Sequence, residues 1–298
     1  PYQDGASPMK WWWNGRICDE LEAVIPLADH GFLYGMGLFE TFRTYRGRPF
    51  LLDRHLERLQ EGCGELRIKF CLSPNDIEAA IRALLEANGL QDASFRLSVS
   101  GGVMPYALPP VSGYESPNVS IAVKPISAHP PLPKELYMLK LARSTPEGAV
   151  RRKSFHYMNN ILGKWELSER SSNPSAEGLF MKEDGTVVEG ITSNVFHVQD
   201  GTIYTPSIQT GCLPGVTRWA VLELAAKHKM RVVESEYGWQ ALQEADELFV
   251  TNSIQEICSV REFIDTANTV RKRWEPVPGP ITALLSEEYR EWTRRRGT

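Results

Sequence analysis

Apolar and polar positions repeat with two different periods along this chain, and the switches between them mark out the elements. Three tryptophans, Trp11 to Trp13, precede Asn14-Gly15 and then Arg16-Ile17, which reads as a strand, a tight turn and a second strand. Across 52–66 the period becomes helical, with Leu52, Leu56 and Leu59 on one face and charges on the other. A second helix is marked at its start. Ser73 caps it, Pro74 suits its first turn, and Asp76 completes a pattern resembling a capping box. Ile77, Ala80, Ile81, Leu84 and Leu85 form its buried stripe, and Gly89 ends it. Strand-like runs follow at 95–99 and 119–123.

Lys124 to Pro133 then holds four prolines in ten residues, which neither a helix nor a central strand sustains. A linker is therefore expected over 125–133, between a smaller N-terminal α+β domain (1–124) and a larger C-terminal α+β domain (134–298). The second half predicts a strand at 136–142, a helix after Ser154, and strands near 186–188 and 194–198. Asp200-Gly201 turns the latter into a strand at 202–204, and helices are expected at 217–228 and 280–294. Strand clusters with segregated helices predict an α+β fold in both halves. There is no repeat of fixed period.

Composition narrows the function classes. A chain of 298 residues can build two cores, and a net charge of −4 leaves no footprint for nucleic acid or an anionic membrane surface. Arg294-Arg295-Arg296 reads as a solvated tail. No run approaches the ~20 apolar residues of a membrane span, and no signal peptide is visible. The five cysteines are scattered without a C-x-x-C, as expected of reduced thiols in a cytoplasmic protein.

Familiar motifs are missing: no G-x-S-x-G, no H-E-x-x-H, no P-loop. Gly35-Met36-Gly37 begins a dinucleotide fingerprint, but Glu40 stands where its third glycine belongs. The six histidines lack ligand spacing, so no metal is expected. What remains is a distributed set. Leu213-Pro214-Gly215-Val216-Thr217-Arg218 runs into a helix whose first N–H groups would face an anion, although Thr217 alone also reads as a simple N-cap. Glu189 ends a strand, and Lys153 lies in a charge run ahead of a helix; each, taken singly, reads as a solvated surface residue. Together they supply what pyridoxal 5'-phosphate (PLP) needs: an amine, a carboxylate for the pyridine nitrogen, and a phosphate cup.

Order and spacing make the set specific. Lys153-Ser154-Phe155-His156-Tyr157-Met158-Asn159-Asn160 resembles the class IV aminotransferase segment whose lysine forms a Schiff base with PLP. The glutamate of Gly185-Thr186-Val187-Val188-Glu189-Gly190-Ile191-Thr192-Ser193-Asn194-Val195-Phe196 follows 36 residues later, in a block similar to the one that pairs with the pyridine nitrogen. Tyr204-Thr205-Pro206 with Leu213 to Arg218 resembles the phosphate element, and Ala245 to Ser253 the late strand and loop. His30 to Glu40 is similar to the early active-site strand, and Arg58 stands where the family contacts phosphate. The resemblance spans roughly residues 9–260. It implies the two-domain D-amino-acid-aminotransferase-like fold, with the lysine on the C-terminal domain. Cofactor contacts are implied at Arg58, Lys153, Glu189, Ser193, Asn194, Leu213, Val216, Thr217 and Ser253, with Lys153 catalytic. Substrate contacts are expected at Tyr34, Arg96, His156 and Asn252, the partner being a small molecule. The family is typically homodimeric.

Within the family, Thr145-Pro146-Glu147-Gly148 ahead of the lysine segment, and Asn252, favour the lyase branch, which releases pyruvate and leaves 4-aminobenzoate. Tyr106-Ala107-Leu108 replaces the R-x-H carboxylate trap of D-amino-acid transaminases. A transaminase, or a PLP-fold protein that only binds, are the alternatives.

Overall fold

The period-two run around Phe95 becomes the middle of a six-stranded antiparallel sheet. The computed structural model describes residues 8–127 and 130–295, and these group into two units. The first unit holds β1 (Lys10–Trp13), β2 (Arg16–Asp19), α1 (His30–Tyr34), β3 (Gly37–Tyr45), β4 (Arg48–Pro49), α2 (Leu52–Glu65), α3 (Pro74–Ala87), β5 (Ala93–Ser100) and β6 (Asn118–Pro125). Its strands lie in the order β2-β1-β6-β5-β3-β4. Asn14 and Gly15 both take positive φ, as the two-residue turn between β1 and β2 demands. Alternate residues Ala93, Phe95, Leu97 and Val99 pack with Val119, Ile121, Leu38 and Phe42 against the apolar stripes of α2 and α3. The start of α3 is a full capping box: the Asp76 N–H donates to Ser73 Oγ at 3.2 Å and the Ser73 N–H to the Asp76 carboxylate at 2.8 Å. The sheet's other face carries Phe39, Thr41 and Arg96.

Two features of this unit differ from expectation. Residues 30–34, expected as the start of a strand, form a helix instead, because the Asp29 carboxylate caps Gly31 N–H at 2.6 Å. Residues 153–156, expected in the C-terminal domain, belong with the first unit. Phe39 N–H donates to Lys153 carbonyl at 2.9 Å and Phe155 N–H to Gly37 carbonyl at 3.0 Å, so the lysine segment pairs antiparallel with β3.

The second unit contains β7 (Lys134–Met138), α4 (Met158–Arg170), β8 (Glu177–Met181), β9 (Val187–Gly190), β10 (Asn194–Gln199), β11 (Thr202–Pro206), α5 (Val216–Lys227), β12 (Val232–Ser235), α6 (Gln240–Glu244), β13 (Glu247–Asn252), β14 (Glu256–Ile264), β15 (Val270–Arg273) and α7 (Pro280–Arg295). A nine-stranded mixed sheet runs β12-β11-β10-β13-β14-β7-β8-β9, with β15 on β14. The expected strand at 136–142 stops at Met138, because the N–H groups of Lys140 and Leu141 donate to the Glu166 carboxylate rather than to a strand. The helix expected after Ser154 starts only at Met158, since the intervening residues are held on β3. Arg294 and Arg295 are the last residues of α7, each paired with a glutamate on the same helix; Arg296, the rest of the expected tail, lies outside the described residues. Ala128 and His129 of the expected linker also lie outside them. All five cysteines are free thiols. No described helix is long and apolar enough to cross a membrane.

Candidate active site

In the first unit, β3 and α2 bring three ionisable side chains together beneath Lys153. Strand alternation puts Glu40 on the same side as Leu38 and Phe42, facing α2, where helical spacing sets His55 and Arg58 one turn apart. Arg58 donates from Nε to Glu40 Oε1 at 2.8 Å and from Nη2 to Oε2 at 2.6 Å. His55 Nδ1 lies 2.6 Å from Oε2 and must be the donor, since a carboxylate only accepts. Burial alone would raise the Glu40 carboxyl, but the Arg58 charge and the hydrogen bonds from His55 and Arg58 hold it down at about 2. Burial lowers the His55 pKa, and Glu40 opposes that shift.

Above the same sheet, Lys153 Nζ sits 4.7 Å from the centre of the Phe39 ring, and the Arg96 guanidinium sits 3.5 Å from it. Arg96, expected as a substrate contact, is exposed on an interior strand: β5 lies between β3 and β6. His156 Nε2 donates to the Tyr34 carbonyl across 3.2 Å, against the C-terminus of α1. Gly35 is obligatory there, with φ of +68° and a would-be Cβ 2.5 Å from the His156 ring. Lys153, Arg58, Arg96, Tyr34 and His156 thus all belong to the first unit.

The second unit holds the other candidates. Glu189 ends β9 only 4% exposed, not solvated as a lone strand-end glutamate would be. Arg143 Nε donates to its Oε1 at 2.8 Å, Arg151 Nε lies 3.6 Å from the same oxygen, and the Leu213 N–H donates to Oε2 at 2.8 Å. Asn159 and Asn160, at the start of α4, accept from Arg143 Nη1 and so hold that guanidinium in place. Sequence reasoning missed Arg143 and Arg151. The latter stood in plain view beside Lys153, but a charge run looks like surface until the fold buries it.

The N-terminus of α5 fits an anion. Its cap is Gly215, not Thr217, and no side chain caps its first turn. A Cβ on Gly215 would lie 2.1 Å from Asn194 Oδ1, so only glycine lets the loop approach that closely. Asn194 Nδ2 donates to the Leu213 carbonyl at 2.9 Å and fixes the loop from behind. Thr217 and Ser253 bring their hydroxyls within 3.4 Å of each other, and Thr251 Oγ1 nearby in the chain is buried with no partner among the described residues. Uncapped helix amides, paired hydroxyls and the buried Glu189 carboxyl group form the donor and acceptor set that a phosphorylated pyridine requires. Ser193 is buried with its hydroxyl on Glu177 at 2.9 Å, and Asn252 accepts from the N–H groups of Ile254 and Gln255 and shapes their turn.

Comparisons with known proteins agree with this chemistry. The sequence profile of class IV amino-transferases matches residues 37–263. Aminodeoxychorismate lyase of Bacillus subtilis (strain 168) is 43% identical over 82% of this chain and 83% of its own. The crystal structure of 4-amino-4-deoxychorismate lyase from Pseudomonas aeruginosa superposes with a TM-score of 0.77 at 29% identity, over 94% of this chain and 98% of that one. The branched-chain aminotransferase of Thermoproteus uzoniensis, solved with norvaline, reaches a TM-score of 0.83 at 25% identity, over 96% of this chain and 95% of that one. Both sequence and architecture therefore converge on one conclusion: the chain belongs to the class IV aminotransferase family.

Proposed function

We propose that this chain is a PLP-dependent lyase that converts 4-amino-4-deoxychorismate into 4-aminobenzoate and pyruvate. The observation that carries the proposal is the 43% identity with the Bacillus subtilis lyase across most of both chains. Likeness in fold does not decide between branches, since lyase and aminotransferase structures both superpose well. The sequence around the lysine and Tyr106-Ala107-Leu108 in place of a carboxylate trap favour the lyase.

Bound PLP supplies an aldehyde that condenses with an amine and a ring that accepts electrons. Lys153 Nζ would hold the cofactor at rest; freed when the substrate's 4-amino group displaces it, the amine would remove the proton from C4 of the substrate and return a proton to the departing enolpyruvate. The C3–O ether bond breaks as the ring becomes aromatic, which drives the reaction forward. Glu189, faced by Arg143 and Arg151, would pair with the protonated pyridine nitrogen. Arg58, the α5 amides at Val216 and Thr217, and the Thr217 and Ser253 hydroxyls donate to the phosphate, with Leu213, Ser193 and Asn194 shaping the cup. Arg96 binds a substrate carboxylate, and Tyr34, His156 and Asn252 line the substrate side. The enzyme acts in the cytoplasm as a homodimer. The exposed apolar stripe Met158, Ile161, Leu162 and Trp165 on α4 supports self-association.

Incubation with aminodeoxychorismate tests the proposal. Stoichiometric 4-aminobenzoate and pyruvate are expected. Rapid amino-group transfer to a keto acid without 4-aminobenzoate would establish the transaminase alternative instead.

A further inference from the structure

We propose that Glu40 and His55 are positioning residues for Arg58: a buried carboxylate and imidazole that lock the guanidinium in one plane so that it meets a phosphate ester in a preset orientation. The inference rests on the assignment of Arg58 to the cofactor phosphate.

Glu40 and His55 are each 1% exposed, deeper than the arginine they hold. Each carboxylate oxygen has a defined use: Oε1 takes Arg58 Nε, and Oε2 takes both Arg58 Nη2 and His55 Nδ1. The clamp grips the Nε/Nη2 edge of the fork side-on, which fixes both the plane and the roll of the group. His55 in turn fixes the carboxylate, because its hydrogen bond settles which way Oε2 points. The ring is itself held, with its centroid 5.4 Å from that of Phe42 in the core.

Charge argues for orientation rather than attraction. A glutamate paired with Arg58 cancels the charge that would draw a phosphate in, so a site built for raw attraction would leave it out. Retaining it in a dry core, where an ion pair is costly, makes sense if direction is what the pair supplies. The two views predict opposite signs. If Glu40 only offsets charge, its removal strengthens phosphate binding; if it positions Arg58, removal weakens it.

The test compares dissociation constants of PLP and of pyridoxal, which lacks the phosphate, for the full chain stripped of cofactor. Arg58→Gln should lower the preference for PLP over pyridoxal by about ten- to a hundredfold, the worth of hydrogen bonds to a charged group. Glu40→Gln and His55→Leu should lower it in the same direction by about tenfold. His55→Asn, whose amide N–H stands in for Nδ1–H, should retain most of the preference. If Glu40→Gln does not fold, the His55→Leu and His55→Asn pair carries the same comparison. A Glu40→Gln protein that binds PLP more tightly overturns the proposal, as do Glu40→Gln or His55→Leu proteins that lose PLP and pyridoxal affinity equally. An unchanged preference in Arg58→Gln instead withdraws the phosphate assignment itself, and the positioning role with it.

Discussion

Glu189 is buried with two guanidinium groups and a backbone N–H facing its carboxylate. Glu189→Gln leaves Arg143 and Arg151 buried beside a neutral amide, at a cost of about 3 kcal/mol or more in stability. The same change removes the charge expected to hold the pyridine proton, so kcat should also fall by ~100-fold. Urea unfolding and steady-state rates on one preparation check both. His197 gives a pH signature of its own. Buried between Tyr204 and Tyr237, its pKa is pulled to about 4 by burial, against 6.5 for an ordinary histidine. Between those values the unfolded chain holds a proton that the folded chain lacks, so stability falls as pH drops through that window. By pH 4 the loss approaches about 3 kcal/mol. A His197→Phe protein should lack this acid limb, as denaturation midpoints at successive pH values would show.

At the scale of elements, the pairing of residues 153–156 with β3 depends on Gly37. A Cβ there would meet the Phe155 ring at 2.2 Å. Gly37→Ala should therefore shift the lysine segment and slow cofactor attachment while far-UV circular dichroism stays native. Adding Phe155→Ala, which removes the obstructing ring, should restore part of the attachment rate; strictly additive losses would show that no such contact exists. This segment also marks the limit of what the sequence discloses. Local signals were legible: the Ser73 capping box, the Asn14-Gly15 and Asp200-Gly201 turns, the helical stripes of α2 and α3, and the helix α5 all formed as the patterns predicted. Each is decided by residues within a few positions of one another. Elements decided by distant partners were not legible. α1 forms because Asp29 caps it, β7 stops because Glu166 captures its next amides, and α4 starts late because β3 holds the residues before it. The site divides in the same way. Lys153, Glu189 and the Gly215 loop stood out through motif spacing, whereas Arg143, Arg151 and the Glu40–His55 pair act through burial, which no local pattern encodes.

At the scale of the whole molecule, the four apolar residues on the outer face of α4 set an expectation for assembly. Met158 is 75% exposed and Trp165 62%, one helical stripe that a solitary soluble chain rarely displays. Sedimentation should report twice the chain mass for the native protein and a shift toward the single chain for Trp165→Glu. The proposed chemistry rests on one bond, between the Lys153 amine and the aldehyde carbon of PLP. Borohydride reduction of the holoenzyme followed by peptide mapping tests it most directly. The account predicts a pyridoxyl group on the peptide containing Lys153 and none after Lys153→Ala. Recovery of the label on another lysine, or on no peptide of the chain, would contradict it.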